Sequence, residues 1–422
     1  MPSRKGLSRR AKLAGGQPIS ALMHRALANP DLISLAAGFV DQETLPVDIA
    51  AEAIEAVLSD PIAARAALQY GTMPGHLPLR QAIVDRHCAA DGQSATEAKL
   101  SVDQVLITAG SNQMLHLVLE TLCDPQDIIL CPAPTYFVLL GLLKNLDIHT
   151  VGIASDEDGM IPASLDEELT RQEAAGQLSR VKAIYVCSYF DNPSTTTLPA
   201  ERRGEIVALA KKWSGEVRIH VIEDAAYREL RYAGDDIPSM RSFDEEGDTV
   251  ITAGTFSKSF SPGMRIGWGI LPSQLVEPIG NQKGNIDFGA PNFSQHVIAK
   301  VIQRGQYDTH VERLQANYRT KLQTTLDGAD EYLAKIPGAH WHHPTGGLYV
   351  WLRLPEEIET GPSGMLVDRS LEEGMLYVPG EYFYPDEGVG VRKNTIRLSF
   401  GVQTHDKIPE GIAALARAIE SL

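Results

Sequence analysis

Lys258 stands in the segment Thr255-Phe256-Ser257-Lys258-Ser259-Phe260-Ser261-Pro262-Gly263-Met264-Arg265, among small and hydroxylated residues with an arginine downstream. A lysine amine condenses with an aldehyde, serines and Arg265 offer hydrogen bonds and charge to a phosphate, and glycine lets the backbone approach closely. The set suits an aldehyde cofactor that carries a phosphate, which points to pyridoxal phosphate. The competing reading is a solvated surface lysine after a buried strand.

Further polar residues follow apolar runs, where ligands of open α/β sheets gather. Asp224 and Tyr227 come after the run 218–223 and could emerge from one strand end. An aspartate there could keep a pyridine nitrogen protonated, while the tyrosine hydroxyl could bond a phenolic oxygen; a helix N-cap is the plain alternative for Asp224. Asn192, in Phe190-Asp191-Asn192-Pro193-Ser194-Thr195, could reach the same oxygen or be a turn residue before proline. Gly110-Ser111-Asn112-Gln113 leads into a helical pattern, so its free amides could seat a phosphate, although a serine N-cap explains it equally well. Tyr136 could stack on a cofactor ring or fill a core edge. Arg397 lies between apolar neighbours, where an uncompensated guanidinium is costly. It wants a carboxylate, either the α-carboxylate of an amino acid or a protein Asp or Glu.

These residues need a scaffold that brings strand ends together. From about residue 100 short apolar runs at 105–108, 128–131, 148–153, 182–189, 218–223, 249–253 and 265–271 alternate with helical patterns. That alternation predicts a mainly parallel seven-stranded sheet covered by helices on both faces, several runs being too uniformly apolar for a half-exposed strand. Leu115, Val118, Leu119 and Leu122 share one helical face, as do Ile206, Leu209, Ala210 and Trp213; both stripes read as core. After Gln306 a long helical pattern leads to short strands at 347–352, 375–378 and 395–400 and a closing helix, which predicts a smaller α+β domain. The expected division is a flexible basic tail at 1–15, an N-terminal segment at 16–55 packing on the small domain or the site, a large domain at 56–305 and a small domain at 306–422.

The 422 residues are 43% hydrophobic and 22% charged, an ordinary globular composition. A formal net charge of −16 repels nucleic acid and anionic lipid, so a small-molecule substrate is the default. Cys88, Cys123, Cys131 and Cys187 have no CxxC spacing and read as reduced core thiols. Arg4, Lys5, Arg9, Arg10 and Lys12 precede no apolar stretch, and no run reaches the ~18 apolar residues of a membrane helix, so a cytoplasmic protein is expected. His340, His342 and His343 invite a metal reading, but no carboxylate or cysteine stands nearby at ligand spacing. No G-x-G-x-x-G follows a strand, which argues against a nicotinamide site.

Taken in order, Tyr70-Gly71, Gly110-Ser111-Asn112-Gln113, Pro134-Thr135-Tyr136, Asn192-Pro193, Asp224 with Tyr227, Ser257-Lys258 with Arg265, and Arg397-Leu398-Ser399 resemble the motifs of class I/II aminotransferases. These are pyridoxal-phosphate enzymes of fold type I, and the resemblance covers nearly the whole chain. It implies that Lys258 holds the cofactor, with Gly110, Ser111, Asn112, Tyr136, Asn192, Asp224, Tyr227, Ser257 and Arg265 around it. It implies further that Tyr70 reaches the phosphate of a neighbouring subunit, which makes a homodimer with shared sites, and that Arg397 and Asn192 meet the substrate.

Ile33-Ser34-Leu35-Ala36-Ala37-Gly38 and Gly346-Gly347-Leu348-Tyr349-Val350-Trp351 are similar to the branch of 2-aminoadipate, kynurenine, aromatic and broad-range aminotransferases, in which Gly38 would lie beside the substrate carboxylate. The expected reaction moves the amino group of an L-amino acid to a 2-oxo acid such as 2-oxoglutarate by a ping-pong mechanism. Phe39, Tyr70, Phe288 and Asn292 are expected pocket-lining residues, and Arg25 could meet a second carboxylate. One departure stands out: Thr195 occupies a position that is glycine in relatives, which could narrow the pocket. It keeps open a pyridoxal-phosphate lyase or synthase acting on a specialised amino acid. A non-catalytic pyridoxal-phosphate-binding regulator is the rival from another class.

Overall fold

A computed structural model describes residues 6–16, 29 and 31–422, so Arg4, Lys5 and Arg25 lie outside the described residues. In chain order the strands are Ile33–Ser34 (β1), Val105–Thr108 (β2), Ile128–Ala133 (β3), His149–Asp156 (β4), Gly159–Met160 (β5), Val181–Cys187 (β6), His220–Asp224 (β7), Val250–Thr255 (β8) and Gly267–Ile270 (β9). They are followed by His340–Trp341 (β10), Tyr349–Arg353 (β11), Met375–Leu376 (β12), Val378–Pro379 (β13), Glu387–Gly388 (β14) and Thr395–Ser399 (β15).

All seven runs expected for the central sheet form strands, in the spatial order β14, β4, β3, β6, β7, β8, β9, β2. Pairing from β4 through β8 is parallel, and β9 runs antiparallel to both β8 and β2. Two short strands extend the expected set, β14 along the outer edge of β4 and β5 as its hairpin partner. The apolar runs are continuous because both faces are covered: Ile129 and Cys131 of β3 enter one core while Ile128 and Leu130 enter the other. Alternate residues of a strand point to opposite faces, so both must be apolar. Such a sheet places its parallel strand ends, and the turns after them, along one crevice.

The smaller sheet has the order β10, β11, β15, β13 and is antiparallel, closed over by the helices Gln306–Tyr332 and Lys407–Glu420. The helix Gln306–Tyr332 serves both halves of the molecule. Tyr307 and Val311 enter the core beneath β2 and β9, whereas Leu314, Tyr318 and Leu322 belong to the small-domain core. The helix begins directly after Gly305, beside the boundary expected at 305/306.

The N-terminal part departs from the expected division in two places. Residues 9–13, read as tail, form a helix capped by Ser8, and Arg10 meets Glu120 at 2.9 Å while Arg9 pairs with Asp147. Cations that look solvated in sequence have acids opposite them in space. The expected boundary at residue 55 falls inside the helix Val47–Leu58, which packs on the helix Asn292–Gln303 of the large half. Between them residues 33–38 do lie along the small domain: β1 pairs with β12, and Ser399 donates its amide to the Leu35 carbonyl at 2.7 Å.

Candidate active site

The turns after β2, β3, β6, β7 and β8 converge on a cavity of about 310 Å³. Gly38, Gly110, Ser111, Asn112, Tyr136, Asn192, Asp224, Tyr227, Ser257, Lys258 and Arg265 all line it, so residues far apart in sequence share one wall. Arg397 reaches the same place from β15 through its bond to Asn192. Tyr70 does not line it. It is 82% exposed, and its ring lies 5.9 Å, between centroids, from that of the similarly exposed Phe288.

Lys258 sits in the turn after β8, and its Nζ donates to the Gly38 carbonyl oxygen at 2.7 Å. Burial lowers its pKa, and the nearby Arg397 cation pushes in the same direction, against an opposing influence of Tyr349. An amine in such a place gives up its proton more readily than a solvated lysine.

Asp224 closes β7 and is buried. Its Oδ1 accepts the Ala226 amide at 3.1 Å and its Oδ2 accepts the Tyr185 hydroxyl at 3.1 Å. Desolvation nevertheless pushes the carboxyl up to about 6. The Ala226 bond is a local turn bond of the kind expected for a cap, but no helix follows, and the carboxylate faces the cavity. Such a carboxylate is well suited to a cationic partner.

The helix Ser111–Leu122 points its N-terminus at the cavity, and no side chain caps it. Gly110 has φ +87°, and a Cβ there would approach Arg265 Nη2 to 2.9 Å; glycine is what lets the guanidinium close over the helix start. Arg265 Nη2 donates to the Ala109 carbonyl at 3.2 Å, and Thr255 Oγ1 donates to Ser257 Oγ at 3.0 Å. Unpaired amides, a hydroxyl and a cation around one point make a phosphate seat.

Opposite this seat Arg397 is 1% exposed, yet no carboxylate pairs with it among the described residues. Its Nη1 donates to Asn192 Oδ1 at 2.7 Å, its Nη2 to the Ala36 carbonyl at 2.9 Å, and its Nε has no partner. The rings of Tyr349 and Phe383 lie 4.2 and 5.1 Å from its guanidinium carbon. The structural ion pair weighed in the sequence is therefore not made. A buried guanidinium without a protein anion is a place for a ligand carboxylate.

Tyr349 is the residue sequence reasoning missed. Its hydroxyl is 3.0 Å from that of Tyr227, its ring covers Arg397, and a Cβ on Gly38 would come within 2.6 Å of its oxygen. Its place in Gly347-Leu348-Tyr349-Val350, beside the strand of Arg397, was the available signal, since Trp351 is the register partner of Arg397. Tyr185 was likewise missed, being hidden in a uniformly apolar strand. Tyr136 lines the cavity with its hydroxyl 3.5 Å from Asn112 Oδ1. Of the other expected lining residues, Phe39 borders the cavity, while Asn292 spends its amide on the carbonyls of Ala66 and Gln69.

Thr195 does not narrow the cavity. It is 1% exposed with φ +61°, and its hydroxyl donates to the Ser194 carbonyl at 2.6 Å. The loop is held by its own side chains, Ser194 Oγ donating to Asp191 Oδ2 at 2.7 Å. Thr195 is not among the residues that line the cavity, whereas Asn192 of the same loop is.

Comparison with known proteins agrees with this geometry. The family described as aminotransferase class I and II matches residues 30–415. The aromatic-amino-acid aminotransferase 1 of Thermococcus litoralis is 35% identical over 390 residues, 92% of this chain and 88% of that one. Kynurenine aminotransferase of Pyrococcus horikoshii, solved in complex with PMP, superposes with a TM-score of 0.89 at 31% identity, covering 99% and 97% of the two chains. LysN, the α-aminoadipate aminotransferase of Thermus thermophilus, complexed with N-(5'-phosphopyridoxyl)-L-leucine, gives 0.83 at 27% identity over 98% and 97%.

Proposed function

Because the chain belongs to the class I and II aminotransferase family, and is thus an aminotransferase that works with pyridoxal 5'-phosphate, we propose that its donor is an L-amino acid with an aromatic or 2-aminoadipate-like side chain. The acceptor is a 2-oxo acid such as 2-oxoglutarate, and the two half-reactions alternate at one site. The observation that carries this reading is a buried Arg397 with no carboxylate partner, joined through Asn192 to the cavity that Lys258 lines.

The residues present fit the cofactor: a phosphate seat at Gly110, Ser111, Ser257 and Arg265, a carboxylate at Asp224, and Lys258 between them. When bound, pyridoxal 5'-phosphate supplies an aldehyde for the substrate amine and a ring that accepts the electron pair left at Cα. Asp224 would hold a proton at the ring nitrogen, and that cation would favour the ionised carboxylate. Tyr227 and Asn192 would offer hydrogen bonds to the cofactor's phenolic oxygen, and Tyr136 would offer its ring as a stacking surface. Arg397 binds the α-carboxylate of the amino acid in a two-pronged contact, with Gly38 leaving room beside it. Lys258 Nζ takes the Cα proton and returns it, since its lowered pKa keeps a neutral fraction available.

Tyr70 acts in the neighbouring subunit's site in this reading, and the assembly is a homodimer. Exposed Val47, Ile62, Leu68, Tyr70, Leu77 and Phe288 support it, because so many large apolar side chains are seldom left to solvent. The test of the reaction is the visible spectrum of the cofactor-loaded protein mixed with single amino acids and no oxo acid. Loss of the resting absorption with one equivalent of oxo acid per site, strongest for aromatic or 2-aminoadipate donors, is the expected result. Continuous release of ammonia would instead establish a lyase.

A further inference from the structure

A second cavity, of about 340 Å³, lies between the small sheet and the β4 edge of the large one, and the proposed reaction does not use it. Its wall carries two guanidinium groups, Arg353 and Arg392, two imidazoles, His340 and His342, and hydroxyls that include Ser155 and Thr196. Strand register explains the clustering. His340 is the cross-strand partner of Arg353, and Arg353 that of Thr395. Cross-strand partners share a face, so these groups stand on the sheet face that also bears Arg397, the partner of Trp351.

The two guanidinium charges have no ion-pair partner here, although His340 pairs with Glu157 at 3.7 Å. Among the described residues neither Arg353 nor Arg392 forms an ion pair. The two acids on the wall are Asp156 and Glu157. Asp156 is taken by both prongs of Arg202, at 2.6 and 2.8 Å, and Glu157 is an exposed side chain that comes no nearer than 3.7 Å to His340. In a chain of net charge −16, two unpaired guanidiniums in one concavity stand out against their surroundings. Arginine's fork matches the oxygens of carboxylate and phosphate, and the volume falls in the ~300–1,000 Å³ range of small-molecule sites, more than one inorganic phosphate fills.

We propose that this seam between the two sheets is a second binding site, distinct from the catalytic cavity, for a small anion with two or more acidic groups, a polycarboxylate or a phosphorylated metabolite. Its occupant touches both halves of the molecule. Thr196 belongs to the loop that carries Asn192, and Thr395 stands on the strand of Arg397, so binding there tightens the supports of the Asn192–Arg397 pair. The expected kinetic consequence is a change in KM for the amino acid with little change in kcat.

The test is isothermal titration calorimetry of the cofactor-loaded full chain with citrate, with 3-phosphoglycerate and with inorganic phosphate, at constant ionic strength. One saturable site per chain is expected for at least one of the two larger probes, and which one binds tells a polycarboxylate from a phosphorylated ligand. Arg353→Ala and Arg392→Ala, both at exposed positions, should each weaken binding by about tenfold while cofactor absorption stays unchanged. Arg397→Ala, which removes the catalytic carboxylate contact, should leave the site intact. Three results would overturn the proposal: no saturable binding of either larger probe, binding of inorganic phosphate alone, or binding lost in Arg397→Ala but untouched in Arg353→Ala and Arg392→Ala.

Discussion

Arg397 Nη1 donates to Asn192 Oδ1 at 2.7 Å, a buried bond between residues 205 positions apart that joins the small domain's β15 to the loop after β6. It makes the position of the guanidinium depend on both halves of the molecule. The same amide is the group proposed to face the cofactor's phenolic oxygen, so substrate and cofactor contacts share one support.

Replacing Arg397 by Lys keeps the charge but loses the fork, and a charge-assisted hydrogen bond contributes about 1.5–3 kcal/mol. KM for the amino acid should rise roughly 10- to 100-fold, with kcat less affected. Steady-state kinetics in both half-reactions check this; an unchanged KM would remove Arg397 from the substrate site.

Lys258→Ala should slow turnover by ~10²–10⁴-fold while the protein still binds pyridoxal 5'-phosphate without a covalent link. Once substrate has displaced Lys258 from the cofactor, the neutral amine is the active form, so kcat should climb with pH through the lysine pKa. Because burial and Arg397 lower that pKa, against an opposing influence of Tyr349, the climb should end below the ordinary lysine range. A profile that rises only near pH ~10 would contradict the assignment.

Asp224 carries a cost in the cofactor-free protein. Its pKa moves from an ordinary 3.8 to about 6, and a raised acid loses folding stability as pH climbs from the lower value through the higher one. Above that window the penalty is about 3 kcal/mol. Asp224→Asn should therefore raise the melting temperature of the cofactor-free form at about pH 7 and not at about pH 3.5, while weakening cofactor binding. Calorimetric melts at both pH values decide it, and equal gains at both would show that burial of charge is not the cause.

At Thr195 the φ of +61° puts a β-branched residue in the left-handed region, at a cost of about 1–2 kcal/mol. Glycine removes this but adds roughly 0.4–1 kcal/mol of unfolded-chain entropy. Thr195→Gly should leave the protein as stable or up to about 1.6 kcal/mol more so, with its substrate range unaltered. A widened range would mean that the side chain does reach the cavity.

The proposed shared site makes a mixing experiment informative. Lys258→Ala subunits and Tyr70→Ala subunits are each impaired, but a heterodimer of the two has one site with Lys258 from one chain and Tyr70 from the other. Activity should recover when the two proteins are unfolded and refolded together. Failure to recover, with heterodimers shown by mass spectrometry, would place Tyr70 outside the partner's site.

The central sheet was legible because its strands are buried on both faces, and continuous runs such as those of β3 and β6 depend only on their own residues. The site motifs were legible for a related reason: Lys258, Asp224, Asn192 and Ser111 each follow or close a strand, and the ends of parallel strands lie together. What the chain alone could not disclose is which side chains meet across the domains. Tyr349 on Tyr227, Arg397 on Asn192 and Lys258 on the Gly38 carbonyl are contacts over 122, 205 and 220 positions, set by the register of β11 and β15 and by how the small sheet docks. The burial of Thr195 within its own loop and the pairing of Arg9 and Arg10 with acids belong to the same class. Local patterning fixes which face an element buries; only packing in three dimensions decides what that face is buried against.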